Sequence, residues 1–142
     1  MRRLPGNDLP VPQRATGGSA GMDLRACVDR PVTLGPGERA LVPTGIALAL
    51  PEGYEAQVRP RSGLAIEAGL TLLNSPGTID ADYRGEVRVV AVNLGSAPVT
   101  IRRGDRIAQL VVGRVPPVQV IEVEDLPPSP RGEAGFGSTG TT

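Results

Sequence analysis

Gly and Pro interrupt this sequence so often that no long helix can run through it, and the stretches between them are rich in β-branched residues. Glycine costs about 1 kcal/mol and proline about 3 kcal/mol in a helix interior, so the interrupted runs read as strands. Residues 39–42, 45–50 and 54–58 are such runs, separated by Pro43-Thr44-Gly45 and Pro51-Glu52-Gly53. Glu86-Val87-Arg88-Val89 alternates polar with apolar, and Val90-Ala91-Val92 continues it as a buried strand. Residues 98–101, 106–112 and 118–123 complete the series. Strands at this spacing predict an all-β barrel or sandwich. One short helix is predicted, capped by Ser62, running through Gly63-Leu64-Ala65-Ile66-Glu67-Ala68 and stopped by Gly69.

The 142 residues suit one domain with a real core. Tyr54, Tyr83 and Phe136 are its only aromatic residues. A core built from Val, Leu, Ile and Ala is marginal alone, and oligomerisation is the expected remedy. After Leu126 the chain changes character: Pro127-Pro128-Ser129-Pro130 is a stiff spacer, and the rest is rich in Gly, Ser and Thr. Residues 1–126 therefore read as the β-domain and 127–142 as a spacer and arm with no core of its own.

Composition narrows the chemistry. All fifteen basic residues are Arg, balanced by fifteen carboxylates, so broad attraction to nucleic acid or anionic lipid is not expected. Without His or Lys there is no triad histidine, zinc site, Schiff base or P-loop lysine. Cys27 stands alone and reads as a small apolar filler. No apolar stretch approaches the ~20 residues that span a bilayer. Met1-Arg2-Arg3-Leu4-Pro5 lacks the apolar core of a secretory signal, so a soluble, cytoplasmic protein is expected.

Five stretches carry chemistry. In Ala20-Gly21-Met22-Asp23-Leu24-Arg25-Ala26, Asp23 is either a sheet-edge carboxylate or one facing a hydrated cation. Arg59-Pro60-Arg61-Ser62-Gly63-Leu64 puts Arg, a hydroxyl and Gly where a strand passes into a helix, a combination that suits phosphate or an ordinary cap. Residues 74–86 read as a tight hairpin with Asp80 and Asp82 on one face, as solvated loop charge or as a base tuned by its surroundings. In Gly104-Asp105-Arg106-Ile107-Ala108-Gln109-Leu110, Gln109 interrupts an apolar strand and needs partners, in the core or on a ligand. Residues 131–140 hold Arg131 and Phe136 among small residues, as a floppy tail or as a lid.

In order and spacing, these stretches resemble the five motifs of the trimeric dUTPase family. The resemblance spans the chain from Ala20 to Gly140. It implies a jelly-roll-like β-barrel, a homotrimer whose active sites each draw on three chains, and Mg²⁺-assisted hydrolysis of dUTP to dUMP and pyrophosphate. It implies Asp80 as general base. Tyr83 would lie against the deoxyribose, and Asn74, Gly77, Thr78 and Ile79 in the uracil pocket. Arg61, Ser62, Gly63 and Gln109 would attend the phosphates, and Asp23 the metal through water. Arg131, Phe136, Gly137 and Ser138 would belong to an arm that closes on the nucleotide. A dCTP deaminase of the same fold is the nearest alternative, and a catalytically silent nucleotide-binding module the next. Asp80-x-x-Tyr83 and the complete fifth stretch favour dUTP hydrolysis.

Overall fold

The structure, a computed structural model, describes residues 1–135. It is built almost wholly from strands: β1 (Arg2–Arg3), β2 (Gly21–Arg25), β3 (Val32–Leu34), β4 (Arg39–Ala47) and β5 (Tyr54–Arg59) precede helix α1 (Ser62–Ala68). After it come β6 (Leu70–Leu72), β7 (Gly77–Ile79), β8 (Glu86–Asn93), β9 (Val99–Ile101) and β10 (Arg106–Arg114). The strands make one four-stranded sheet in the order β1-β4-β8-β6, another in the order β2-β10-β5-β7, and the small pair β3-β9. Every pairing is antiparallel. The expected all-β, jelly-roll-like fold with one short helix is present, as separate sheets rather than one closed ring of strands among the described residues.

Antiparallel sheets bury one face and wet the other, and the alternation expected for residues 86–89 holds: Val87 and Val89 are buried, Glu86 and Arg88 are not. Leu24, Val42, Val89 and Ile101 are the largest apolar side chains taken fully out of solvent. Truncating one of them to Ala costs about 2–5 kcal/mol. Asn93 is buried with them and fully used: Nδ2 donates to the carbonyls of Leu34 (2.9 Å) and Ala97 (2.8 Å), and Oδ1 accepts from the N–H of Gly95 (2.9 Å).

Several expectations change. Residues 39–47 form one strand, β4, which joins the run at 39–42 to the start of the run at 45–50 and leaves residues 48–50 outside; its pairing with β8 slips between Pro43 and Ala47 and so absorbs the turn residues as an irregularity. Ser62 is the first helical residue rather than the cap; Arg61 holds the cap position, in extended conformation and without a side-chain cap bond. Gly69 does end the helix, at φ 67°, and its backbone lies so close to that of Gly95 that a side chain would not fit.

Residues 74–86 are not a hairpin: β6 pairs with β8 and β7 with β5, so this stretch crosses from one sheet to the other and returns. It contains a cis Ser75–Pro76 bond. Residues 118–123 are not a strand: among the described residues no strand pairs with them. The last tie is the N–H of Val115 to the carbonyl of Gly53 (2.8 Å); Pro116 and Pro117 then offer no donors, and Val120 is 91% exposed.

Candidate active site

The sequence-predicted residues collect in two clefts. The first, about 430 Å³, opens beside β5 and β7 and is lined by Asn74, Gly77, Thr78, Ile79, Asp80 and Tyr83, among others. Pairing of β7 with β5 sets Gly77 opposite Val58 and Ile79 opposite Ala56, which fixes this wall of backbone. Asp80 follows β7 directly and is exposed. Here the chain turns, with the N–H of Tyr83 bonded to the carbonyl of Asp80 (3.2 Å). The turn takes Asp82 out of the extended register that would have set it beside Asp80; Asp80 lines the cleft and Asp82 does not. The Tyr83 hydroxyl donates to the carbonyl of Glu86 (3.1 Å), which holds the ring at the rim.

The second cleft, about 670 Å³, lies on β2, β10 and the end of β5, and includes Asp23, Arg61, Ser62, Gly63 and Gln109 in its wall. Asp23 is held between two guanidinium groups: Arg61 Nε at 3.1 Å from Oδ1 and Arg106 Nη1 at 3.1 Å from Oδ2. Gln109 sits directly opposite Asp23 across the β2–β10 ladder, and its Nε2 donates to the carbonyl of Pro60 (3.1 Å). Its Oε1 lies 2.6 Å from where a Cβ on Gly21 would stand, so a side chain at position 21 would have to push the Gln109 amide aside. Arg59 and Arg106 also line this cleft. Neither was singled out from sequence, although Arg59 stands two residues before Arg61 and Arg106 three before Gln109.

The clefts share no residue, and the division falls within one strand. Val58 lines the first and Arg59 the second. Successive side chains of a strand point to opposite faces, so the clefts open on opposite sides of β5. Arg131 lines neither; its Nε donates to the carbonyl of Ala134 (2.7 Å) within its own turn. Phe136, Gly137 and Ser138 lie outside the described residues. Away from both clefts, Arg103 bonds Asp8 and holds its carboxyl below the usual carboxylate range, while Asp8 raises Arg103 in turn. Cys27 is half-buried and accepts a weak contact from Arg103 Nη1 at 3.4 Å.

Among the described residues no three His, Cys, Asp or Glu side chains gather as a metal cage. Asp23 keeps lone pairs beyond its two Arg contacts and is a quarter exposed (26%), so it suits the water shell of a cation rather than the cation itself.

Two clefts, one walled by backbone and an acidic turn and the other by Arg, Ser, Gly and an amide, hold the groups a nucleoside and a polyphosphate require. The sequence profile of the dUTPase family matches residues 7–140.

The chain belongs to the dUTPase family.

It is 58% identical to the deoxyuridine 5'-triphosphate nucleotidohydrolase of Caulobacter vibrioides, over 99% of the chain and 92% of the relative. It is 62% identical to the enzyme of that name from Anaeromyxobacter sp. (strain Fw109-5), over 95% of the chain and 90% of the relative. The dUTPase of Staphylococcus bacteriophage 80alpha, solved with dUPNHPP, superposes with a TM-score of 0.88 at 28% identity, over 98% of this chain and 96% of that one. A variant dUTPase of phage phi11 of S. aureus, described with a structural Mg(II) ion, superposes at 0.77 with 26% identity, over 87% and 95% of the two chains. No helix among the described residues is long and apolar enough to cross a membrane.

Proposed function

We propose that this chain hydrolyses dUTP to dUMP and pyrophosphate by attack of water on the α-phosphorus. The observation that carries the reading is the sorting of its polar groups. Asn74, Gly77, Thr78, Ile79, Asp80 and Tyr83 wall one cleft; Asp23, Arg61, Ser62, Gly63 and Gln109 wall the other.

Asp80 is the general base: its carboxylate takes a proton as the water oxygen bonds to phosphorus, and pyrophosphate leaves with the electron pair of the broken P–O bond. Asn74 and the backbone at Gly77, Thr78 and Ile79 read uracil. The 5-methyl of thymine lacks space there, and cytosine presents its donor and acceptor reversed, which leaves buried partners unpaired. The ring of Tyr83, tied at its hydroxyl, lies against the deoxyribose and leaves no room for a 2′-hydroxyl. Arg61 and the Ser62-Gly63 turn hold the phosphates, with Gln109 beside them.

Residues 127–142 are the closing arm, with Arg131 on the γ-phosphate, Phe136 over the base, and Gly137 and Ser138 along the phosphates. Mg²⁺ is the cofactor; when bound it offsets the charge of the triphosphate. Asp23 would hold it through its waters, with the triphosphate as its main ligand.

A single chain does not close this site. Nucleoside and phosphate clefts on opposite sides of β5 call for one cleft from each of two copies. A homotrimer meets this need and covers apolar surface such as Leu41 and Leu94, which are 55% and 70% exposed. The enzyme works in the cytoplasm on the nucleotide pool, keeping uracil out of DNA and supplying dUMP.

Product analysis with Mg²⁺ and dUTP, dCTP, dTTP or UTP, each alone, tests the reading. Pyrophosphate released from dUTP alone is expected. Deamination of dCTP would place the chain with the deaminases of its fold, and binding of dUTP without turnover would make it a binding module.

A further inference from the structure

Arg106 opens β10 at a fault in the sheet. It stands opposite Arg25 of β2, yet Ala108 stands opposite Leu24, so Ile107 is one residue too many. In an unbroken ladder, side chains alternate from Gln109 backwards, and position 106 would face the core. The bulge prevents this. Ile107 and Ala108 are both buried (3% and 0% exposed), and Arg106 emerges on the face that carries Asp23 and Gln109. Re-aiming a side chain is what such bulges do beside active sites.

The result is a closed ring of contacts. Arg106 Nη1 donates to Asp23 Oδ2 at 3.1 Å. The other oxygen, Oδ1, pairs with Arg61 Nε at 3.1 Å. Arg61 Nη1 donates in turn to the main-chain carbonyl of Arg106 at 3.0 Å. Both groups that hold the Arg61 guanidinium thus depend on Arg106, one being its own carbonyl and the other the carboxylate it grips. Two guanidinium groups on one carboxylate leave the ring with net positive charge, so it still attracts polyphosphate.

We propose that Arg106 is a positioning residue of the reaction: by gripping Asp23 it fixes the Arg61 guanidinium at the triphosphate. This rests on the second cleft being the triphosphate side. Arg61 would otherwise sample many rotamers, and a preset fork loses less freedom on meeting phosphate.

The test compares wild type with Arg106→Gln, Arg106→Lys, Arg61→Gln and the double variant Arg61→Gln/Arg106→Gln. Each is assayed for dUTP turnover and melting temperature, and for affinity towards dUMP and the imido analogue dUpNHpp. The Gln variant at 106 is expected to bind the imido analogue about tenfold more weakly, the loss of one charge-assisted contact, with dUMP affinity unchanged. Lys is expected to recover part of that loss. The double variant is expected to be no worse than Arg61→Gln, because the two residues act as one unit. Additive losses in the double variant would make Arg106 an independent phosphate contact and overturn the proposal. So would equal losses for dUMP and the analogue with a lowered melting temperature, or no loss at all. A wild type that neither binds nor hydrolyses dUTP would remove the triphosphate reading itself, and the proposal with it.

Discussion

At the scale of single residues, the chemistry turns on side chains held by main-chain bonds. Tyr83 is pinned through its hydroxyl to the Glu86 carbonyl, and its N–H is bonded to the Asp80 carbonyl, so the proposed base and the proposed sugar wall share one turn. Asp80→Asn is expected to keep dUTP affinity and to lose about 10²- to 10⁴-fold in kcat, the usual worth of a positioned base; isothermal titration beside steady-state kinetics measures both. Tyr83→Ala is expected to raise UTP turnover relative to dUTP, and an unchanged ratio of the two kcat/KM values would remove the steric explanation. Asp80, Arg61 and Gln109 were singled out in the sequence by residue type and by resemblance to the family's motifs, and each lines one of the two clefts. Arg106 was not: its place on the Asp23 face depends on the bulge at Ile107, and no residue in Gly104-Asp105-Arg106-Ile107-Ala108 announces a slipped ladder.

At the scale of elements, periodicity found strands and missed their partners. The runs at 54–58, 86–92 and 106–112 are β5, β8 and β10 to within two residues at either end, because their apolar alternation is long. Of the three-residue strands, β9 falls within the run read at 98–101, whereas β3, β6 and β7 are too short to show a period. Turn chemistry misled twice. Pro43-Thr44-Gly45 reads as a break but lies inside β4, and residues 74–86 read as a hairpin but join two sheets. The run at 118–123 has the composition of a strand but pairs with no edge among the described residues. For the arm, truncation after Pro130 is expected to leave folding and assembly intact, since β10 ends at Arg114 and the buried core lies between Leu24 and Leu110. Turnover of dUTP is expected to collapse. An unaltered melting temperature with lost activity supports a closing arm; normal activity would refute it.

At the scale of the whole molecule, the division of the site is the central result. β5 carries Val58 into one cleft and Arg59 into the other, so on the proposed reading a single nucleotide meets both clefts only where two chains adjoin. The sequence could list the residues of both clefts but not their separation, which depends on the order β2-β10-β5-β7. Light scattering is expected to report three chains per particle, and a stable, active monomer would contradict a shared site. Complementation is more direct. Asp80→Asn spoils only the first cleft and Arg61→Gln only the second, so each pure variant is expected to be nearly inactive. Unfolding the two together and refolding them as mixed trimers pairs an intact first cleft with an intact second in about a quarter of the sites. Recovery of dUTP turnover towards that fraction is the predicted result; activity no higher than that of the separate variants would mean that each site is made within one chain.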